Sequence, residues 1–367
     1  MSVSLLILSC NQNGGDIVKP KTTTTVTYQL LTPNPSDAVK AYQDWKKIFV
    51  TQKGCPKGGS RVLFDDGSST VSEGIGYGLL ASAFMKDQAL FDSLLTYYVT
   101  HLDSYGLMNW KIGSDGSTLI GRNAATDADE DVAMSLLVAD RNWGTTGKYT
   151  YKDWALRVIN SLSKYTVEKG TYVLKPGDVW GGSTVTNPSY FAPAYYKLFY
   201  EATQDSTWLL VADKCYEILT LAMDPTTGLV PDWCMATGQT PAADRSDGTT
   251  YSYDACRTPW RIAVDYAWNK DDRAKTYCAK IRDFVSKVGV GNIGDGYSLS
   301  GQPTSTYSST AFVGSFGCAV IVLPDSEQEL INQFYTRNEQ TGTTNYYNSS
   351  LRVLTLLFQT GYWQKPG

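Results

Sequence analysis

Carboxyl groups are the strongest candidates for catalytic groups in this chain, because the sequence contains a single histidine. His101 alone would have to build a Ser-His-Asp triad, a Cys-His pair or a histidine zinc site. It lies near the end of a helical segment, where the helix dipole favours a histidine. If the protein is an enzyme, its proton transfer therefore falls to carboxylates.

Glu73 is the first candidate among them. It lies in the segment 72–78, S-E-G-I-G-Y-G, whose small residues let a substrate or a neighbouring backbone approach closely. A general acid must hold its proton near the working pH, whereas the dipole at a helix start favours the ionised form. We expect a second carboxylate, Asp127, to raise the pKa. The alternative is a glutamate that only caps a turn.

The elements that must position these groups are helices. From residue 36 onward, amphipathic segments recur at helical spacing and no strand–helix alternation is found, which argues against a parallel α/β sheet. Twelve helices predict an all-α toroid of six helical hairpins, one ring inside another. The segments are 36–51, 73–86, 88–102, 127–143, 152–168, 188–202, 205–222, 255–269, 271–288, 305–322, 325–338 and 345–360.

Polar and aromatic clusters fall at the starts of even-numbered segments. They begin at Ser72, Thr126, Asn187, Tyr253 and Asn345. Each could be an ordinary helix cap. If the even helices form the inner ring, however, all five meet at one end of the barrel, where a cleft would lie.

Composition limits the ligand. The 367 residues carry a net charge of −4, only 19% are charged, and 25 Tyr, 11 Phe and 10 Trp are present. The charge argues against nucleic acid as a partner, because phosphate binding needs clustered cations. Abundant aromatic rings suit a neutral, polyhydroxylated ligand. The seven cysteines show no zinc-ribbon spacing and do not suggest a disulfide framework.

Several motifs together resemble glycoside hydrolase family 8, and within it the clostridial cellulosomal endoglucanase branch. They are 72–80 (S-E-G-I-G-Y-G-L-L), 125–132 (A-T-D-A-D-E-D-V), 175–194, 228–234 (G-L-V-P-D-W-C), 253–261 and 346–356. The resemblance covers about residues 36–363. It implies an (α/α)6 barrel, endo-1,4-β-glucanase activity and inversion at the anomeric carbon, without a metal or other cofactor.

The resemblance also assigns roles to single residues. Glu73 matches the general acid, Asp254 the general base, and Asp127 a central carboxylate that holds the sugar at the cleavage point. Tyr190 matches a tyrosine near the catalytic water, and Arg257 a charged neighbour of the base. An inverting pair stands roughly 6.5–9.5 Å apart to admit water, so the acid and base should face each other across the ring.

Aromatic residues are expected to line the substrate groove. Trp110 and Trp180 match stacking residues of the family, Tyr346 and Tyr347 lie where it has cleft tyrosines, and Trp233 is a further groove candidate. Cys256 departs from the residue that the family has between Ala255 and Arg257.

Four functions stay open at this point. The first is an endoglucanase acting on β-1,4-glucan. The second keeps the fold and mechanism but acts on xylan or xylo-oligosaccharides, mixed-linkage β-glucan or chitosan. The third is a non-catalytic sugar-binding lipoprotein, and the fourth is a lyase, which needs a differently placed base.

The first 35 residues are expected to lie outside the catalytic domain, which we place at 36–367. A short apolar run before Cys10 resembles the end of a bacterial lipoprotein signal, and residues 11–35 read as a flexible tether. We expect a secreted or outer-surface bacterial protein that is monomeric. Lipid attachment at Cys10 and an ordinary disordered tail both stay open.

Overall fold

A computed structural model describes residues 33–241 and 248–366. These residues form twelve α-helices. They are α1 Pro35–Phe49, α2 Ser72–Phe84, α3 Gln88–Thr100, α4 Thr126–Trp143, α5 Tyr151–Tyr165, α6 Pro193–Thr203, α7 Thr207–Ala222, α8 Thr258–Asn269, α9 Asp272–Val288, α10 Thr310–Ile321, α11 Gln328–Gln340 and α12 Tyr346–Gln359.

The even-numbered helices form an inner ring. In α2 every residue except Glu73 is buried, and α10 is buried at all but one position. The odd-numbered helices bury one face only, as in α9 and α11. Neighbouring even helices pack together around the ring, and a hydrogen bond of 2.8 Å from Tyr196 on α6 to Glu130 joins α6 to α4. The predicted (α/α)6 barrel is confirmed.

Glycines permit the tight packing of α2. A Cβ atom at Gly76 would lie 2.9 Å from the Ala128 carbonyl oxygen of α4, and one at Gly74 would lie 3.1 Å from the Tyr346 ring. The glycines around Glu73 therefore admit a neighbouring helix backbone and a tyrosine ring, which is one of the two reasons predicted for them.

Short strands at the end of the barrel were missed by the sequence analysis. They are β1 Val50–Thr51, β2 Arg61–Val62, β3 Thr70–Val71, β4 Asn109–Ile112 and β5 Leu119–Ala124. β1 pairs with β2, and β3, β4 and β5 form an antiparallel sheet. Strands β2 to β5 lie between the predicted helical segments, and β5 falls in a stretch rich in glycine and serine. Strands of two to six residues are too short for a clear alternating pattern.

Three inner helices begin later than predicted. Short 3-10 segments, Pro188–Tyr190 and Ala255–Arg257, precede α6 and α8 in place of a regular first turn. Both helices then begin with a proline at their first or second position, and α10 begins at Thr310 rather than at 305.

Of the predicted amino-terminal tether, the structure describes only residues 33–35. Asn34 caps α1 through a hydrogen bond of 3.1 Å from the Ser36 amide, and Pro35 opens the helix. Cys10 and the rest of the predicted tether lie outside the described residues. Within the described part of the chain, six cysteines are free thiols, and no helix there is both long and apolar enough to cross a membrane.

Candidate active site

A single guanidinium gathers the predicted carboxylates. Arg257 stands just before α8 and is buried. Its Nη1 donates to Glu73 Oε2 at 2.9 Å and to Asp127 Oδ2 at 2.7 Å. Its Nη2 donates to Asp254 Oδ1 at 2.7 Å and to Ser189 Oγ at 2.8 Å. Groups from α2, α4 and the segment before α8 therefore meet at one cation, on the end of the barrel where the even helices begin.

Glu73 has the protonation behaviour of a general acid. Burial raises the pKa of its carboxyl group to about 7. The charge of Arg257 and a hydrogen bond of 2.9 Å from Tyr346 Oη lower this pKa, while Asp127 and Asp254 raise it. Asp127 raises the pKa of Glu73 as predicted, but burial of the carboxyl group raises it more. Burial thus overcomes the preference of a helix start for the ionised form.

Asp254 lies at the open side of the cluster, with 31% of its side chain exposed against 20% for Glu73. Both carboxylates bind the same guanidinium through different nitrogens. The two bonded oxygens are therefore no more than about 8 Å apart. That separation is compatible with the roughly 6.5–9.5 Å of an inverting pair.

Asp127 is the most deeply buried of the three carboxylates. One of its carboxylate oxygens accepts from Arg257, and among the described residues no group donates a hydrogen bond to the other, Oδ1. A buried carboxylate oxygen without a donor is costly. Asp127 shares the guanidinium with Glu73 and Asp254, so this oxygen lies within the same cluster.

A second ion pair lies one helical turn further into the barrel. Arg261 donates to both oxygens of Asp131 at 2.9 and 3.0 Å, and both residues are buried. Arg257 and Arg261 are four residues apart, as are Asp127 and Asp131, so two ion pairs join α4 to α8 and to the segment just before it. This spacing fixes the rotation of both helices and hence the direction in which the Arg257–Asp127 pair points.

Three predicted aromatic residues form a continuous wall beside the cluster. The Tyr190 ring lies under Arg257, 5.3 Å from the guanidinium carbon. Its edge contacts Trp233 at 6.3 Å between ring centres, and Trp233 contacts Trp180 at 5.8 Å. The structure therefore brings together Tyr190, Trp180 and Trp233, which the sequence analysis had named separately.

The other predicted aromatic residues have separate places. Trp110 stands on β4, is 45% exposed and does not belong to this wall. Tyr346 is buried and acts on Glu73 through its hydroxyl. Tyr347 directs its hydroxyl to the Tyr253 carbonyl oxygen, so it braces the loop that carries the base.

An open cavity of about 480 Å³ contains the two proposed catalytic carboxylates. Tyr253 and Asn345, which begin two of the polar and aromatic clusters named in the sequence, also line it. Phe64, Asp65 and Asp232 line it without having been named. Asp232 lies within the family motif 228–234, and Tyr253 directly precedes Asp254. Both motifs were visible in the sequence, but it assigned neither residue a chemical role.

His101 takes no part in the cleft. It caps α3, and its Nδ1 lies 2.9 Å from the Tyr97 carbonyl oxygen. Burial lowers the pKa of the imidazole. Across the described ranges, no group of three or more His, Cys, Asp or Glu side chains is arranged to hold a metal ion.

Comparison with known sequences gives a family match. Residues 17–361 match the sequence model of glycosyl hydrolases family 8. Endoglucanase 2 of Ruminiclostridium josui is 44% identical over 327 residues, which cover 87% of this chain and 70% of that protein. Endoglucanase A of Acetivibrio thermocellus is 44% identical over 335 residues, which cover 89% and 69% respectively.

Comparison with solved structures agrees. A β-1,3-1,4-glucanase from Paenibacillus sp. X4, solved without ligand, superposes with a TM-score of 0.85 at 30% identity. The match covers 92% of this chain and 97% of that one.

Proposed function

Since the chain belongs to glycosyl hydrolases family 8, we propose that it is an inverting endo-1,4-β-glucanase. The observation that carries this proposal is the pairing of Glu73 and Asp254 on opposite nitrogens of Arg257 at the edge of one cavity. One carboxyl group keeps its proton near neutral pH, and the other faces the opening.

The proposed reaction is a single displacement. Glu73 gives its proton to the glycosidic oxygen as the bond from that oxygen to the anomeric carbon breaks. Asp254 takes a proton from a water molecule whose oxygen attacks the same carbon from the other face. The leaving sugar gains a hydroxyl, and the new hydroxyl on the attacked sugar is α. Asp127 accepts a hydrogen bond from that sugar, and Arg257 balances the charge of the cluster.

The relatives support a β-1,4-glucan as the substrate. The two relatives described above, each 44% identical, are called endoglucanases. The wall of Tyr190, Trp233 and Trp180 offers flat apolar rings to the C–H faces of glucose units. Xylan, mixed-linkage β-glucan and chitosan are the less favoured substrates.

Proton NMR during cellohexaose hydrolysis tests this function. The α-anomer should appear first and should change to the equilibrium mixture only by mutarotation. If the β-anomer appears first, the enzyme retains configuration and Asp254 would be a nucleophile about 5 Å from the acid. If cellohexaose is not cleaved while xylo- or chito-oligosaccharides are, the glucan assignment is wrong.

We propose further that the protein works outside the cytoplasm as a monomer, on the cell surface or free in the medium. Support comes from the apolar run before Cys10 and from the polymeric nature of the substrate. Radiolabelled palmitate should enter the protein in a bacterial host and should not enter a Cys10→Ala variant. Equal absence of label from both, with the protein in the medium, would indicate secretion without an anchor.

A further inference from the structure

Asp232 is a carboxyl group in the cleft that the proposed reaction leaves without a role. It lines the same cavity as Glu73 and Asp254. It comes from the loop before α8, next to Trp233 of the aromatic wall.

The side chain of Asp232 holds the backbone on both sides of the base. Its Oδ1 accepts hydrogen bonds from the Ser252 amide at 3.0 Å and from the Ala255 amide at 2.7 Å. Asp254 lies between these two amides. The second amide also opens the 3-10 segment that ends with Arg257, so one carboxyl oxygen fixes the chain that carries both the base and its cation.

The backbone of Asp232 is held as well. Its amide donates to the Thr250 carbonyl oxygen at 2.9 Å, and the neighbouring Trp233 amide donates to Gly248 at 2.9 Å. The carboxyl group therefore acts from a fixed strand-like segment rather than from a loose side chain.

The protonation state of Asp232 is compatible with these hydrogen bonds. Burial and the neighbouring charge of Asp254 raise the pKa of Asp232 to about 7, against the pull of its two amide hydrogen bonds and Arg257. Below that pH the neutral carboxyl still accepts both amide hydrogen bonds through Oδ1. It does so without placing a second negative charge beside the base.

We propose that Asp232 is a positioning residue for the reaction, which clamps the segment 252–257 and thereby fixes Asp254 and Arg257 over the cleft. This inference rests on the proposed function. It assigns Asp232 no contact with the sugar. An amide side chain, which keeps one carbonyl oxygen, should do the same work.

Three variants test the clamp: Asp232→Ala, Asp232→Asn and Asp232→Ser. With cellohexaose, Asp232→Ala should lose between about 10- and 100-fold in kcat, because a misplaced base costs rate. Its KM should change less than about threefold, because the aromatic wall is untouched. Asp232→Asn should recover kcat to within about threefold below pH 7. Asp232→Ser is too short to reach both amides and should resemble the alanine variant; it replaces that variant if the latter does not fold.

Asp224 provides the matched control. Its Oδ1 likewise accepts two amides, from Thr226 at 2.8 Å and Thr227 at 3.0 Å, but Asp224 does not line the cavity. Asp224→Ala should lower the melting temperature about as much as Asp232→Ala while keeping kcat. Near-normal kcat in Asp232→Ala, or an asparagine variant as slow as the alanine variant, would overturn the clamp. Failure of the wild-type protein to cleave cellohexaose would overturn the proposed function instead.

Discussion

At the level of single residues, the general acid depends on opposing effects on the pKa of Glu73. Burial of Glu73 favours the protonated form, and Arg257 and Tyr346 favour the carboxylate. The result, about 7, is near the pH at which a general acid both holds a proton and gives it up readily. Two consequences can be measured.

Glu73→Gln should lose turnover and keep binding. Removal of a positioned general acid costs roughly 10²–10⁴-fold in kcat. Glutamine fills the same volume, its carbonyl oxygen can still accept from Arg257, and its amide group can donate to the Tyr346 hydroxyl instead. Steady-state kinetics on cellohexaose give kcat, and calorimetric titration gives the affinity. A variant that melts like the wild type and yet keeps near-normal kcat would show that Glu73 is not the acid.

Tyr346→Phe should move the alkaline limb of the pH profile. The acid must be protonated, so kcat/KM should fall as the pH rises through about 7. The Tyr346 hydrogen bond stabilises the carboxylate and lowers the pKa, so its loss raises the pKa and shifts this limb to higher pH. Tyr335→Phe is the control, because Tyr335 also donates to a carboxylate, Asp37, but far from the cleft. A limb that stays in place or moves to lower pH would contradict this account of the acid.

Roles at this scale were only partly predictable from the sequence. The glycines around Glu73 and the lack of a second histidine indicated a carboxylate reaction. The central place of Arg257 depends on which helices face each other, and the clamp of Asp232 depends on two amides about twenty residues away. Neither the place of Arg257 nor the contacts of Asp232 produce a pattern among neighbouring residues of the sequence.

The elements at the barrel end hold the aromatic residues against glycines. A Cβ atom at Gly121 on β5 would lie 2.5 Å from the Trp110 ring. One at Gly177 would lie 2.5 Å from the Trp180 ring, and one at Gly248 would lie 2.3 Å from the Trp233 ring. Each of these indoles therefore lies against a glycine at which any larger side chain would collide with the ring.

Gly121→Ala should weaken substrate binding by displacing Trp110. We expect KM for cellohexaose to rise roughly 3- to 30-fold, because the added methyl group forces the ring from its place. The value of kcat should stay within about twofold, since Trp110 lies outside the catalytic cluster. Gly291→Ala is the control, because a Cβ atom there meets nothing within 4 Å. A fall in kcat at unchanged KM would show that the glycine supports the catalytic groups and not the indole.

The helices were predictable at this scale because apolar residues recur at helical spacing along the sequence. Twelve periodic segments gave twelve helices, and the alternation of buried and half-buried helices followed from the even-numbered clusters. The 3-10 segments before α6 and α8 were not predictable, since polar side chains and prolines at a helix start look the same in both geometries. The hairpin of β4 and β5 was hidden by the glycines and serines of its turn.

The molecule as a whole places its substrate contacts across one end of the barrel. Trp110 comes from β4 and the aromatic wall from segments between α5 and α8. The cavity residue Asp65 comes from the segment before α2, and Tyr347 comes from the start of α12. The two ion pairs Arg257–Asp127 and Arg261–Asp131 lie beneath them and join α4 to α8 and to the segment just before it. A glycan bound by all these elements lies across the barrel and passes the acid and base at an internal bond.

Attack at internal bonds should appear as a rapid loss of viscosity. On carboxymethylcellulose, viscosity should fall steeply while few reducing ends are formed, because one internal cut halves a chain whereas an end cut removes a single unit. The same polymer cut at random by dilute acid, compared at equal reducing ends, is the standard. The enzymatic curve should lie on that standard or below it. Release of one small sugar at nearly constant viscosity would show that the cleft is closed at one end and that the enzyme acts from chain termini.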